Sequence, residues 1–369
     1  MDNREKSRIQ KEIVDSLPNP CHGILKLAPR VGKTKITIDI IKRDKPKRIL
    51  WVTPNRKLRD VDIPGEFITW RAKTYLKKTT IICYAALAKH RGDYDLVILD
   101  EYQDLTSNNA KPILSGSIKY NTIIGLSGTH PKHKEKLELY NRLNLDILID
   151  ISIDEAVEKK LVAPYNITVV QCQLDSKDKY VKGGSKTKPF LQTEKSRYEF
   201  MTKGIARKYH ANGMVPQFYY INRMRFLYNL KSKNKAAKTF VDSLEGRTLV
   251  FTGGIDMAER LYKHTFHSKT DDTDLNNFLA GGIKSLACVN AGGVGFTFKG
   301  VDNFVIVQIN SNQKGDATQK IARALVPQEG YVGNIYIFVV KDTVDEGWLE
   351  EVLKDFSLDK VKYVRYEDL

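Results

Sequence analysis

The sequence predicts an α/β protein whose strands lie parallel in two separate sheets. Short runs rich in β-branched and aliphatic residues alternate with longer stretches of helical periodicity, the pattern of strands joined by crossover helices. The strand-like runs fall into two sets, with a break at Val157–Pro164 where the chain is expected to cross from one sheet to the other. A length of 369 residues fits two domains at about 100–200 residues each. The expected boundaries are 1–158 and 159–369.

The first set of predicted strands is Gly23–Leu27, Arg48–Val52, Thr79–Cys83, Leu96–Leu99 and Thr122–Leu126. The second is Asn166–Gln171, Thr248–Phe251, Ser285–Val289, Phe304–Ile309 and Asn334–Val340. Helical stretches such as Lys33–Lys42 and Ile255–Lys263 follow strands. Trp348, Val352 and Phe356 recur at helical spacing, which predicts a C-terminal helix over about 345–364 docked on the second sheet. No repeat occurs at solenoid spacing.

Composition excludes several classes. With 41% apolar and 28% charged residues the chain can bury a core and is not a disordered tail. Apolar runs such as Leu96–Leu99 fall far short of the roughly 20 residues a bilayer helix needs, so no membrane association is expected. The opening Met-Asp-Asn-Arg-Glu-Lys has no apolar leader core. Cys21, Cys83, Cys172 and Cys288 are scattered with no Cys-x-x-Cys pair, which fits a reducing cytoplasm rather than a disulfide framework or a zinc ribbon. His130 with His133, and His264 with His267, lack further ligands nearby and are expected to be solvated or structural. Trp51 and Trp70 are expected in the core.

The net charge is +16, from 60 basic and 44 acidic residues, and this points to a polyanionic partner. Between Ser176 and Phe240 there are 16 lysines and arginines against three acids (Asp178, Glu194, Glu199), a local net of +13. Lys182–Lys188 reads as a mobile loop. Aromatic residues, among them Tyr198, Phe200, Tyr209 and Phe218, interrupt the rest, so a folded basic helical insertion over about 176–240 is expected to contact nucleic acid. Lys231, Lys233 and Lys235 are the expected contacts. Tyr219 and Tyr220 offer rings that can stack on bases, but packing is their expected role.

Gly23 to Thr34 reads as strand, tight turn and helix start, ending in Gly32-Lys33-Thr34. Gly-Lys-Thr at a helix N-terminus is a phosphate cradle. Backbone N–H groups face the anion, the lysine reaches the β- and γ-phosphates, and the threonine hydroxyl can hold Mg²⁺. The full loop pattern is not met, because Leu27 and Arg30 stand where glycines are usual. Further on, the apolar strand Leu96–Leu99 ends in Asp100-Glu101. Paired carboxylates after a buried run are costly unless a cation or a reaction uses them. Asp100 is expected to bind Mg²⁺, and Glu101 to orient or deprotonate the attacking water.

The order of these motifs resembles superfamily-two helicases and translocases, built from two RecA-like P-loop domains, and the resemblance spans nearly the whole chain. Gln10 resembles the adenine-reading glutamine. Pro29, Arg30, Val31, Gly32, Lys33 and Thr34 resemble motif I. Thr53 and Arg56 lie in a run resembling a backbone-contact motif, and Tyr84 lies in another. Asp100-Glu101-Tyr102-Gln103 resembles the carboxylate box, and Ser127-Gly128-Thr129 the motif that links hydrolysis to movement. In the second half, Leu249–Thr252 resembles motif IV. Ala291–Phe298, with Gly292, Gly293 and Gly295, resembles motif V in its Swi/Snf-type and phage-helicase form. Gln319–Leu325 resembles motif VI. The resemblance implies that Arg323 is an arginine finger on the γ-phosphate and that Gln319 senses the nucleotide. It also implies that Gly295 lines the nucleotide and that Gly292, Gly293, Thr53, Arg56 and Tyr84 hold nucleic acid. Val326 replaces a second motif VI arginine.

The expected function is therefore ATP- and Mg²⁺-dependent movement along, or remodelling of, nucleic acid, with DNA favoured over RNA. The expected protein is a monomeric motor in the cytoplasm, the host's if phage-encoded. Two other classes share part of the pattern. One is a packaging-type ATPase, which would need a nuclease domain for which the chain has no room after Val340. The other is a nucleic-acid-binding or annealing protein with a regulatory or degenerate nucleotide site.

Overall fold

The computed structural model describes residues 3–131, 133–185, 187–289, 298–309, 316–328 and 330–369. They divide into two compact units. The first runs up to Pro164 and includes the late segment Leu325–Tyr331; the second holds the other described residues from Tyr165 onward.

The first unit contains β1 (Gly23–Leu27), β2 (Ile49–Thr53), β3 (Thr79–Cys83), β4 (Gly92–Asp100), β5 (Ile118–Ser127) and β6 (Ile147–Ile151). They form one parallel sheet in the order β3-β2-β4-β5-β1-β6. Aliphatic residues such as Leu50, Val52, Val97 and Leu99 are fully buried in it, as expected of strands covered on both faces. Helix α1 (Asn3–Ser16) packs on α2 (Lys33–Asp44). α2 in turn buries Ile36, Ile38, Ile40 and Ile41. Burying an isoleucine side chain is worth about 1.5–3 kcal/mol, so this row fixes α2 firmly behind the end of β1.

The second unit contains β7 (Tyr165–Cys172), the hairpin β8 (Val181–Gly184) and β9 (Pro189–Gln192), then β10 (Thr248–Thr252), β11 (Thr265–Phe266), β12 (Ser285–Val289), β13 (Asn303–Ile306), β14 (Gly333–Val340) and β15 (Val361–Arg365). Seven of these form a parallel sheet in the order β11-β12-β10-β13-β14-β7-β15. Three helices separate β9 from β10: α3 (Glu194–Asn212), α4 (Gln217–Tyr228) and α5 (Lys231–Ser243). Late in the chain come α6 (Asp316–Ile321) and α7 (Val344–Leu353). Both sheets are parallel and helix-covered, the α/β architecture of two RecA-like domains.

Two expectations are corrected. Lys182, Gly183 and Gly184, expected in a mobile loop, instead belong to strand β8, antiparallel to β9 with Val181 opposite Gln192 and Gly184 opposite Pro189. The C-terminal helix stops at Leu353. Val361-Lys-Tyr-Val-Arg365 instead forms β15 beside β7, because its valines and tyrosine suit a strand better than a helix. Val352 and Phe356 are nonetheless buried, and the Phe356 ring meets Tyr165 edge-on with centroids 5.4 Å apart.

Candidate nucleotide-binding site

In an open parallel sheet, ligands bind beyond the carboxyl ends of the strands. The order β4-β5-β1 places three of the motifs side by side at that edge. β1 ends at Leu27 and leads through a turn into α2, β5 ends at Ser127, and β4 ends at Asp100. The register sets Ser127 beside Lys26 and Asp100 beside Leu126.

The turn before α2 has the geometry of a cradle. Gly32 is the N-cap of α2, in the left-handed region at φ 102°, and no side chain caps the helix. A Cβ at Gly32 would lie 2.2 Å from Gln10 Nε2. Arg30, in a usual glycine position, also takes a left-handed backbone at φ 71°. Two residues of α1 brace the turn. Buried Gln10 donates from Nε2 to the Val31 carbonyl at 2.7 Å, and Lys6 Nζ donates to the Arg30 carbonyl at 2.7 Å. Burial and the nearby Arg30 charge lower the Lys6 ammonium to about 8.

Lys33 points at the carboxylates, with its Nζ 3.1 Å from Glu101 Oε1. The other Glu101 oxygen, Oε2, accepts from Gln103 Nε2 at 2.8 Å and from Ser127 Oγ at 3.3 Å. Burial alone would raise the Glu101 carboxyl. Lys33 and these two donors more than offset it and hold the group below its usual range. Asp100 behaves oppositely: burial first, and the Glu101 charge second, push it up to about 7. Two adjacent carboxyls are thus driven apart, one kept ionised and one poised to take a proton or a cation.

A second tie lies behind the first. Glu101 has a left-handed backbone at φ 51°, and the next residue, Tyr102, turns its ring into the core. Gly125 of β5 leaves room for that ring: a Cβ there would lie 3.3 Å from it. The Tyr102 hydroxyl is 2.5 Å from His130 Nδ1, and the ring meets Tyr140 edge-on at 5.0 Å. The end of β5 and the loop after it therefore hold the carboxylate turn twice, through Ser127 and through His130. Sequence reading assigned His130 no part in the site. Its position just after Ser127-Gly128-Thr129 was the available signal.

No protein-family model matches the chain, and no curated protein sequence matches it. Solved structures do. The ATP-dependent type ISP restriction-modification enzyme LlaBIII bound to DNA is similar at TM-score 0.61 and 11% identity, over 99% of this chain and 31% of that one. The Pyrococcus furiosus Hef helicase domain is similar at TM-score 0.60 and 12% identity, over 93% of this chain and 97% of that one. S. cerevisiae Dbp5 bound to RNA and ADP BeF3 is similar at TM-score 0.58 and 13% identity, over 98% and 90%.

The chain shares the fold of these structures, two RecA-like α/β domains.

Several of the expected contacts are placed differently. The side chains of Thr53 and Tyr84, expected to hold nucleic acid, are buried at the ends of β2 and β3. Thr53 Oγ1 and the Tyr84 hydroxyl have no hydrogen-bond partner there. Tyr84 packs in the core with Val52, Leu99 and Tyr102. Arg56 is exposed. Lys233 is a correction. It is fully buried, its Nζ 2.8 Å from Gln308 Oε1 and 3.4 Å from Asp345 Oδ2, and cannot reach a phosphate backbone from there. Lys231 and Lys235 are exposed on the other side of α5.

In the second unit, Gln319 lies on α6, half-buried. Arg323 follows on the turn Ala322–Ala324, where burial lowers its guanidinium from the ordinary value. Gly292, Gly293 and Gly295 lie outside the described residues. Among the described residues no group of His, Cys, Asp and Glu is arranged to hold a metal, and no helix is long and apolar enough to cross a membrane.

Proposed function

We propose that this protein is an ATP-dependent nucleic-acid helicase or translocase, with its catalytic carboxylate Glu101 held between Lys33 and Ser127. That convergence is the observation that carries the reading. A lysine from the cradle, a carboxylate from β4 and a hydroxyl from β5 meet within 3.3 Å, which an ordinary capped helix would not need.

The residues fit ATP and Mg²⁺. The uncapped start of α2 behind Gly32 offers backbone N–H groups to phosphate oxygens. Thr34 and Asp100 are hard oxygen donors of the kind Mg²⁺ takes. Asp100, pushed up to about 7, is a carboxyl whose charged form a nearby dication would favour. Bound ATP and Mg²⁺ would supply the phosphoanhydride and the positive charge that polarises it. Lys33 would then exchange Glu101 for phosphate. Glu101, kept ionised, would accept a hydrogen bond from the attacking water and orient it. Gln103 and Ser127 would keep the carboxylate aimed while Lys33 is away. Tyr102 and His130 would hold the turn beneath it. Arg323 is assigned the γ-phosphate charge, Gln319 the nucleotide and Arg56 the nucleic-acid backbone.

The exposed basic residues imply salt-sensitive binding, which contacts to the nucleic-acid backbone would make largely sequence-independent. DNA is the favoured track. ATP turnover measured alone and with single-stranded DNA, duplex DNA and RNA tests the reading. Turnover stimulated by one of them is the expected result. Nucleic-acid binding with no turnover would replace it with an annealing protein whose nucleotide site is degenerate.

A further inference from the structure

The basic stretch does not present its charge evenly. α5 turns Lys233 inward, and Lys238 Nζ lies 2.5 Å from Asp242. Its Ala236, Ala237 and Val241 are buried in the core of the second unit. The charge that no nearby acid offsets lies earlier. Between Phe200 and Leu230 there are five cations, Lys203, Arg207, Lys208, Arg223 and Arg225, and no aspartate or glutamate.

This stretch is a helical hairpin. α3 and α4 pack together, and Arg223 of α4 donates to Thr202 Oγ1 of α3 at 3.4 Å. α3 ends on Gly213, left-handed at φ 67°, and Pro216 caps α4. α3 buries only Glu194, Tyr198 and Ile205, and every residue from Ala206 to Met214 is exposed. The distal end of the hairpin therefore adds nothing to a core.

Its side chains are nonetheless large and apolar. Tyr209 is 59% exposed, Met214 71%, Phe218 53% and Tyr220 43%. Phe218 and Tyr219 lie ring to ring at 4.2 Å, whereas Tyr220, expected to pack, stands in solvent. Keeping such groups in water forfeits the gain of covering them, and large exposed apolar groups gathered within one short stretch of chain, Tyr209 to Tyr220, mark an interaction site.

We propose that the distal α3–α4 hairpin is a stacking surface for single-stranded nucleic acid. The inference rests on the function proposed above for the class of its partner. Rings in solvent offer π faces to unpaired bases, worth about 1–3 kcal/mol per base. The cations on the same two helices neutralise phosphates. The absence of carboxylates between Phe200 and Leu230 disfavours a basic protein partner and favours a polyanion. A duplex gains little from such rings, because its bases already stack on one another.

The test uses the full chain and two variants. The first combines Tyr209→Ala, Phe218→Ala and Tyr220→Ala; the second combines Arg207→Gln and Lys208→Gln. All five positions are exposed, and thermal melting checks that the fold is kept. Binding to a labelled single-stranded oligonucleotide and to a duplex of equal length is read by fluorescence anisotropy across a salt series. The aromatic variant is expected to lose about tenfold or more in single-strand affinity, with duplex affinity within about twofold. The charge variant is expected to weaken both and to reduce the single-strand salt slope by about 1.4, at about 0.7 per phosphate. ATP turnover without nucleic acid should be unchanged in both. Single-strand affinity equal to wild type in the aromatic variant overturns the proposal even if ATP turnover stands. Loss of that affinity in a protein that never turns over ATP keeps the stacking surface and removes the motor. Unchanged nucleic-acid affinity with lost self-association in sedimentation would make the patch a contact between copies and overturn the proposal.

Discussion

Tyr102 and His130 are joined hydroxyl to imidazole at 2.5 Å, one residue beyond the carboxylate Glu101 and one residue beyond the Ser127-Gly128-Thr129 turn. Removing one partner should cost about 1 kcal/mol of stability. On the proposed function, Tyr102→Phe and His130→Ala should lower kcat for ATP while leaving KM nearly unchanged, because the pair would position Glu101 rather than the nucleotide. Steady-state kinetics and thermal melting check this. Burial, and next the Lys26 charge, lower the His130 pKa, partly opposed by Asp150. The folded state then binds fewer protons than the unfolded state just below pH 6.5, so this contribution is present above that pH and is lost as pH falls. The melting temperature of His130→Asn should depend less on pH there than that of wild type.

The cradle tolerates no side chain at Gly32. A Cβ would meet Gln10 Nε2 at 2.2 Å, and φ is 102°. Gly32→Ala should lower stability by about 1–2 kcal/mol from backbone strain alone and weaken nucleotide binding by an order of magnitude or more. Adding Gln10→Ala should recover part of the melting temperature, because the clash goes but the strain stays. Nucleotide titration and melting of the two variants separate these terms.

Lys33→Ala and Glu101→Gln should each lower ATP turnover by about 10²–10⁴ and leave nucleic-acid affinity within a few-fold. Glu101→Gln keeps the shape of the side chain and its acceptor oxygen, so it should still bind ATP. Turnover and binding measured on the same preparations check both statements.

Lys233 and Lys235 lie two residues apart and should behave unlike each other. Lys233→Ala leaves Asp345 buried without its cation, a loss of about 3–5 kcal/mol, and should lower the melting temperature sharply. Lys235→Ala should leave it unchanged. Neither should alter the salt dependence of nucleic-acid binding as much as Arg207→Gln with Lys208→Gln. Unfolding curves and a salt series on the three proteins decide it.

The sheets were legible wherever strands were apolar and bounded by turn residues. β1, β3 and β12 begin and end at the residues read from sequence. Gly32-Lys33-Thr34 and Asp100-Glu101 stood out because a phosphate cradle and a carboxylate pair call for particular residues at particular spacings, and the structure brings Lys33 and Glu101 to 3.1 Å. β15 was not, since Val361–Arg365 is a half-exposed edge strand and its residues continue a helical spacing from Trp348. Lys233 was read by its charge, yet Ala237 and Val241 follow it at i+4 and i+8, which puts it on the buried stripe of α5. Tyr84 and Thr53 were placed by resemblance alone. Neither local spacing nor composition tells whether a side chain at a strand end turns into the core.

β7 is the first strand of its sheet in sequence, yet both of its neighbours, β14 and β15, arrive more than 150 residues later. While the chain is being synthesised, Tyr165–Cys172 has no hydrogen-bonding partner on either side until Gly333–Val340 has emerged. Such distant pairing is slow to form. An apolar ribbon left waiting that long is a natural substrate for chaperones, and a product cut short near residue 330 should aggregate through it.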